Sequence, residues 1–329
     1  MERNKKREKR KKMLLLPLLL SFLLFVATSY AWFTSNRVVS VDALDVHVQA
    51  DGGLEVSTDA VNWKQVVTVQ DIMNARDNYG RSVNQIPAQF YPVSTGGSVD
   101  GNGRLQMFKG DATNTDSTDF VLVAEKSEET ESFGEDSEGV FIAFDLFFRT
   151  TAPKELYVSN NSEVVYLGDE SKGIENATRV AFLNEGTSGD SAAAAQGLNG
   201  ARNAFIWEPN YDTHTQYGVQ NAQNVYGITT SQVGGAVLPY DGVISEISSA
   251  DNVLIQNANS ATYPSLFRRV DVGSSTPKNN ANNFKVFDLE PSITKVRIYM
   301  WLEGQDVDCE DNASYGDISF RLEFTTNPS

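Results

Sequence analysis

The chain of 329 residues holds only two His, one Cys and ten Pro. So few His and a single Cys exclude a zinc finger, a His-rich metal cage and an intramolecular disulfide framework. No His-Glu-x-x-His sequence occurs, which excludes a zinc peptidase of that design. His47 and His214 are isolated in the sequence, and a lone His reads as a surface residue before it reads as a ligand. No Gly-rich phosphate loop and no Ser/His/Asp grouping stands out. Low proline with 40% hydrophobic residues does not fit a disordered chain. Basic residues are scarce everywhere except at the start. Residues 1–12 hold eight Lys/Arg against Glu2 and Glu8, whereas the other 317 hold 19 basic and 41 acidic side chains. An excess of that sign repels phosphate backbones, and the one basic cluster is too local to form a binding face, so no nucleic-acid partner is expected.

What is present begins with a leader. After the basic block comes an apolar run from Met13 to Ala27, then Thr28-Ser29-Tyr30-Ala31. A basic stretch, an apolar stretch and small residues at −3 and −1 read as a secretory signal peptide over residues 1–31, cut between Ala31 and Trp32. A signal peptidase is then a partner during export. The alternative is an uncleaved anchor. Met13 to Phe33 is 21 residues, against about 20 for a bilayer span, but Pro17, Ser21, Thr28 and Ser29 weaken it. In both cases the positive charges hold the N-terminus in the cytoplasm and send the rest outside. The expected location is secreted and extracellular, with membrane contact only through the leader.

The exported part, 32–329, alternates in its first and last thirds. Leu44, Val46 and Val48 share one strand face, with Asp45 and His47 on the other. Val66, Val67 and Val69 predict another strand. Val140 to Phe148 is apolar on both faces except for Asp145, which places it inside a sheet covered on both sides. The closing strand has Ile318, Phe320, Leu322 and Phe324 inward and Ser319, Arg321 and Glu323 outward. Glu125 to Glu138, with seven carboxylates, reads as a solvated hairpin loop. Helical periodicity is scarce, with short candidates at Lys172 to Thr178 and Ser191 to Gln196. Many short strands between Gly, Asn, Asp and Ser turns predict an all-β chain, a β-sandwich of jelly-roll type. Residues 186–283 hold only 11 charged residues and 18 Asn or Gln, and read as a long polar insertion between core strands.

Candidate chemistry is thin. Cys309, in Asp306-Val-Asp-Cys-Glu-Asp311, is flanked by carboxylates that oppose thiolate formation, so burial as a small apolar residue is its default. The same run offers oxygen ligands for calcium through Asp306, Asp308, Glu310 and Asp311, with Asp317 further on. It lacks the glycine and final glutamate of an EF-hand loop, and the plain alternative is an acidic surface loop. Calcium is the only cofactor candidate. No catalytic residues are assigned.

The junction Thr28-Ser-Tyr-Ala-Trp-Phe-Thr-Ser35, followed by the alternating Ala43-Leu-Asp-Val-His-Val48, resembles the start of the TasA/camelysin family of Gram-positive secreted proteins. The closing strand Asp317-Ile-Ser-Phe-Arg-Leu-Glu-Phe324 is similar to that family's last strand, and Ile298 to Asp306 resembles a segment of Firmicutes proteins with the same kind of signal. The resemblance covers about the first 50 and last 35 residues. It implies export through the SipW signal peptidase, a jelly-roll, and a place in biofilm matrix or cell-surface fibres joined by donor-strand exchange. The donor would begin at Trp32 and Phe33 and continue through Val39 and Val41, filling the next subunit's sheet. The alternative for 44–50 is the first strand of the chain's own sheet. Camelysins are described as metalloendopeptidases; with no matching zinc motif, that activity is not carried over and no enzyme is expected. A rival reading is a monomeric adhesin or carbohydrate-binding module using Trp207, Tyr211, Tyr217, Tyr226 and Tyr240. A third, a hydrolase pairing Asp145 with Glu208, has no support in their spacing.

Overall fold

The computed structural model describes residues 39–48, 53–116, 119–130, 137–167, 173–189, 191–211, 213–216, 218, 232–233, 236–237, 265–266, 275–278, 281–304, 306, 308–309 and 317–328. The expected leader with its cut at Ala31 and Trp32, and Phe33, lie outside these residues. The chain is all-β. Its strands run in order β1 (Val39–Val48), β2 (Glu55–Ser57), β3 (Val66–Thr68), β4 (Gln89–Phe90), β5 (Met107–Asp116), β6 (Asp119–Ser127), β7 (Glu138–Gly139), β8 (Ile142–Arg149), β9 (Lys154–Val158) and β10 (Glu163–Tyr166). They continue as β11 (Thr178–Ser188), β12 (Phe205–Glu208), β13 (Gln232–Val233), β14 (Ala236–Val237), β15 (Ser265–Leu266), β16 (Thr276–Pro277), β17 (Phe284–Leu289), β18 (Ile293–Leu302) and β19 (Asp317–Thr325).

Two sheets carry the fold. One runs β17-β9-β19-β1-β4-β7, with β10 also on β19 and β3 also on β1. The other runs β16-β12-β11-β18-β8-β2. A main apolar core takes Phe144 and Phe148 from β8, Phe182 from β11, Ile298 from β18 and Phe320 and Phe324 from β19. Phe324 meets Phe148 at 5.1 Å and Phe182 at 5.9 Å between ring centroids, both edge to face, so one ring locks the two sheets together. The inward set on β19 is as the alternation predicts: Ile318, Phe320, Leu322 and Phe324 are buried, Arg321 is exposed.

The second sheet is covered on both faces, as the apolar run Val140 to Phe148 predicts. Every residue from Phe141 to Phe148 is buried. The face away from the main core holds Phe141, Ala143, Leu183, Tyr299 and Trp301, packed with Leu105 and Met107. The ten residues of β18 are all buried, including Lys295 and Arg297.

Three expectations are corrected. Val69 does not continue a strand; it opens helix α1 (Val69–Asn74), because Thr68 and Asp71 form a reciprocal capping box. Glu125 to Glu138 is no hairpin loop, since β6 pairs with β5 and β15 while β8 pairs with β18 and β2. Its Glu129 folds in to meet Arg297 at 2.7 Å and Arg104 at 3.2 Å. The stretch from 186 is not wholly an insertion. Ser191 caps helix α2 (Ala192–Gln196), and β12 pairs with β11 inside the core sheet. The apolar Phe205-Ile-Trp that anchors β12 is too short to show a period.

Candidate functional site

Two buried charge clusters are built on the second sheet. The first sits at one end of it. Arg179 lies beside Val180, which pairs with Trp207, so one step along the ladder brings Arg179 toward Glu208. After β18 the chain turns through Glu303 to Asp306, whose N–H donates to the Glu303 carbonyl at 3.0 Å. The Asp308 N–H then donates to Asp306 Oδ1 at 2.9 Å, which turns both carboxylates toward the sheet end. His214 arrives from the turn after β12, where the Thr213 N–H donates to the Asn210 carbonyl at 3.3 Å.

The resulting contacts are close. Arg179 Nη2 lies 2.8 Å from Asp306 Oδ2 and 3.1 Å from Glu208 Oε1. His214 Nδ1 lies 3.1 Å from Asp308 Oδ2, and its Nε2 lies 3.4 Å from Glu208 Oε1. Asp308 also accepts from the Thr215 N–H and hydroxyl and from Asn176 Nδ2 at 2.9 Å. Side-chain exposure is 2% or less for Arg179, Glu208, His214, Asp306 and Asp308. Burial pushes the Asp306 carboxyl up, to about 7, against the pull of His214 and Arg179. Burial alone would push the His214 imidazolium down; Asp306, Asp308 and Glu208 outweigh it and hold it up, at about 10. Glu208, His214 and Asp306 each bring a possible metal-ligand atom within 4.8 Å of the other two.

The second cluster lies on the same face further along the sheet, since Arg179 pairs with Trp301 and Leu183 with Arg297. Arg297 donates to Asp145 at 2.8 Å, to Glu129 at 2.7 Å and to the Val83 carbonyl at 2.8 Å. Lys295 reaches Asp145 at 3.2 Å, the Tyr79 hydroxyl at 3.0 Å and the Leu198 carbonyl at 2.9 Å. Although burial opposes its ionisation, Arg297 and Lys295 hold the Asp145 carboxyl well below the usual range. These are contacts of a closed, mutually satisfied network.

The candidates named from the sequence divide accordingly. Asp306 and Asp308 come together, but buried against Arg179 and His214 and not on an acidic surface loop. Glu310 and Asp311 lie outside the described residues, and Asp317 opens β19. Asp145 and Glu208 belong to different clusters. His214, expected at the surface, is buried. Trp207 is buried at 1% and is no exposed stacking platform; Tyr211 is half-buried, and Tyr217, Tyr226 and Tyr240 lie outside the described residues. Cys309 is in no disulfide and is buried in the main core. Val39 and Val41 lie in β1, paired with Phe90 and Ile318 of the same chain. Sequence reasoning missed the convergence of Arg179, Glu208 and His214. The signal was a charge set directly against a fully apolar run, Arg179 before Val-Ala-Phe-Leu and Glu208 after Phe-Ile-Trp.

No protein-family model, no curated protein and no solved structure matches this chain. Among the described residues no helix is long and apolar enough to cross a membrane.

Proposed function

We propose that the chain is a secreted structural protein, a jelly-roll-like subunit of an extracellular matrix or cell-surface fibre that assembles by β-strand donation from its N-terminal segment. The observation that carries this reading is the position of β1. It is the first strand of the described chain, yet it lies inside its sheet. It runs parallel to β19 from Ser40↔Asp317 to Val48↔Phe324 and takes β3 and β4 on its other side. Withdrawing it would uncover two rows of backbone donors and acceptors, and a sibling's β1 offers the same groups to the same slot. A contact of that kind is head to tail and propagates. The connection from β1 to Leu54 is short and holds Gly52 and Gly53, the latter at φ +86, a conformation glycine adopts without steric cost. The second buried cluster supports the same reading, because its charged groups satisfy one another and are sealed inside the fold. Secretion and SipW-dependent processing rest on the leader and its junction.

The test is a cysteine pair at Asp45 and Arg321, which face each other across β1 and β19. The exported protein is assembled, oxidised and run under denaturing conditions, with electron microscopy in parallel. Strand donation gives filaments whose subunits link into a covalent ladder. Filaments whose Cys pairs close only within single chains, or a protein that stays monomeric at high concentration, overturn the proposal.

A further inference from the structure

We propose that Glu208, His214 and Asp306 form a structural site for one divalent transition-metal ion of the zinc class, which ties the turn after β12 to the turn after β18. Three observations carry this inference. The first is orientation. Asp308 Oδ2 sits 3.1 Å from His214 Nδ1, and Asp308 is itself fixed by Thr215 and Asn176. A carboxylate on one ring nitrogen is the arrangement by which proteins aim a histidine at a metal with the other. Here the other nitrogen, Nε2, faces Glu208 Oε1; Asp306 Oδ1 stands 3.6 Å from Nδ1, and Asp306 offers a ligand atom within 4.8 Å of those of Glu208 and His214.

The second is spacing. The Nε2 to Oε1 distance is 3.4 Å. That is long for an N–H···O hydrogen bond, and close to the edge of a tetrahedron whose ligands stand about 2.1 Å from a central ion. Glu208 Oε1 is shielded from solvent and faces Arg179 Nη2 at 3.1 Å and His214 Nε2 at 3.4 Å without a well-formed hydrogen bond, whereas Oε2 takes the Ser275 hydroxyl at 3.0 Å. The third is charge. Glu208, Asp306 and Asp308 contact Arg179 or His214, and the charge of Glu303 acts on Arg179 from further off. The carboxylates exceed the two cationic side chains even with the imidazole protonated. A divalent ion on a neutral imidazole brings the buried cluster one charge closer to balance. Arg179 touches Asp306 Oδ2 and Glu208 Oε1 and remains as an outer partner of those carboxylates.

The donor set selects the ion. One imidazole with two carboxylates suits zinc and its neighbours, whereas calcium takes six to eight oxygens. Three side chains leave the fourth tetrahedral position to a water, and full burial keeps a substrate from reaching it, so the ion has a holding role.

The test uses the exported protein, stripped with a chelator and titrated with Zn²⁺, Co²⁺ or Ca²⁺ alone. Expected are one equivalent of Zn²⁺ per chain, a raised melting temperature, and a Co²⁺ spectrum of a low-symmetry nitrogen and oxygen site. His214→Gln and Glu208→Gln each abolish stoichiometric binding, while binding to His47→Gln is unchanged. The proposal is overturned if folded wild type takes up no stoichiometric Zn²⁺. It is overturned equally if Ca²⁺ alone reproduces the shift, or if His214→Gln folds and still binds. The wild-type Co²⁺ spectrum decides the matter even if the variants do not fold: a thiolate charge-transfer band would put the ion on Cys309 and end the proposal. Filament formation is read separately, so failure of either proposal leaves the other standing.

Discussion

Asp308 Oδ2 and His214 Nδ1 stand 3.1 Å apart although 94 residues separate them in the chain. The contact pins the segment after β18 to the segment after β12, and Gly173 allows it. At φ +96, a Cβ on Gly173 would fall 2.6 Å from Thr215 Cγ2 and 3.0 Å from Asp308 Cγ. The position therefore requires glycine both for its backbone and for the close approach of Asp308.

Asp308→Asn removes the negative partner of that pair and leaves one amide where two oxygens had accepted from Thr215, Asn176 and His214. Breaking a buried pair by deleting one member costs about 3–5 kcal/mol. Urea unfolding at neutral pH is expected to show a loss of that size, with the slope unchanged. A variant as stable as wild type would mean that the cluster is spectator chemistry.

Asp145 sits among Arg297, Lys295 and the Tyr79 hydroxyl, and its carboxyl is held below the usual range. A depressed folded value means that its contribution is present above the unfolded value, near 3.8, and is lost as pH falls through the folded one. Asp145→Asn should therefore cost about 3–5 kcal/mol at pH 7, leaving two buried cations short of a partner. It should also flatten the acid limb of the stability curve below about pH 4. Equilibrium denaturation from pH 2 to 7 gives both readings; parallel acid limbs in the two proteins would refute the assignment.

Glu185 gives the opposite sign. Its carboxyl is buried at 1% exposure and accepts the Ala201 N–H at 3.1 Å, and burial pushes it up. The unfolded chain ionises it more readily, so its contribution to folding is best below the unfolded value, near 4.5, and declines as pH rises toward the folded one. Glu185→Gln is expected to stabilise at pH 7 by about 0.5–2 kcal/mol, the range common when a local misfit is removed. The gain should vanish in thermal melts at pH 4. A variant destabilised equally at both pH values would show that the ionised form is the one the fold requires.

Much of the core was legible because burial in a strand follows a period of two. Phe320, Leu322 and Phe324 announce an inner face with no help from the rest of the chain, and the unbroken apolar run around β8 announces a strand covered twice. The capping box at Thr68 and Asp71 was legible too, but valines at 66, 67 and 69 masked it. The buried clusters were hidden for a different reason. Arg179 and Asp306 are 127 positions apart, and nothing local distinguishes a paired buried charge from a solvated one.

By itself, then, the sequence determined the all-β class, the inward faces of the main strands and the burial of β8, because backbone geometry and apolar transfer act over a few neighbouring residues. Only the tertiary structure decided that β1 lies beside β19, that Glu129 leaves the surface, and that Glu208, His214 and Asp306 converge. Those outcomes depend on which strands pair and where their ends meet, and a charge can stay buried only where that pairing has placed its partner.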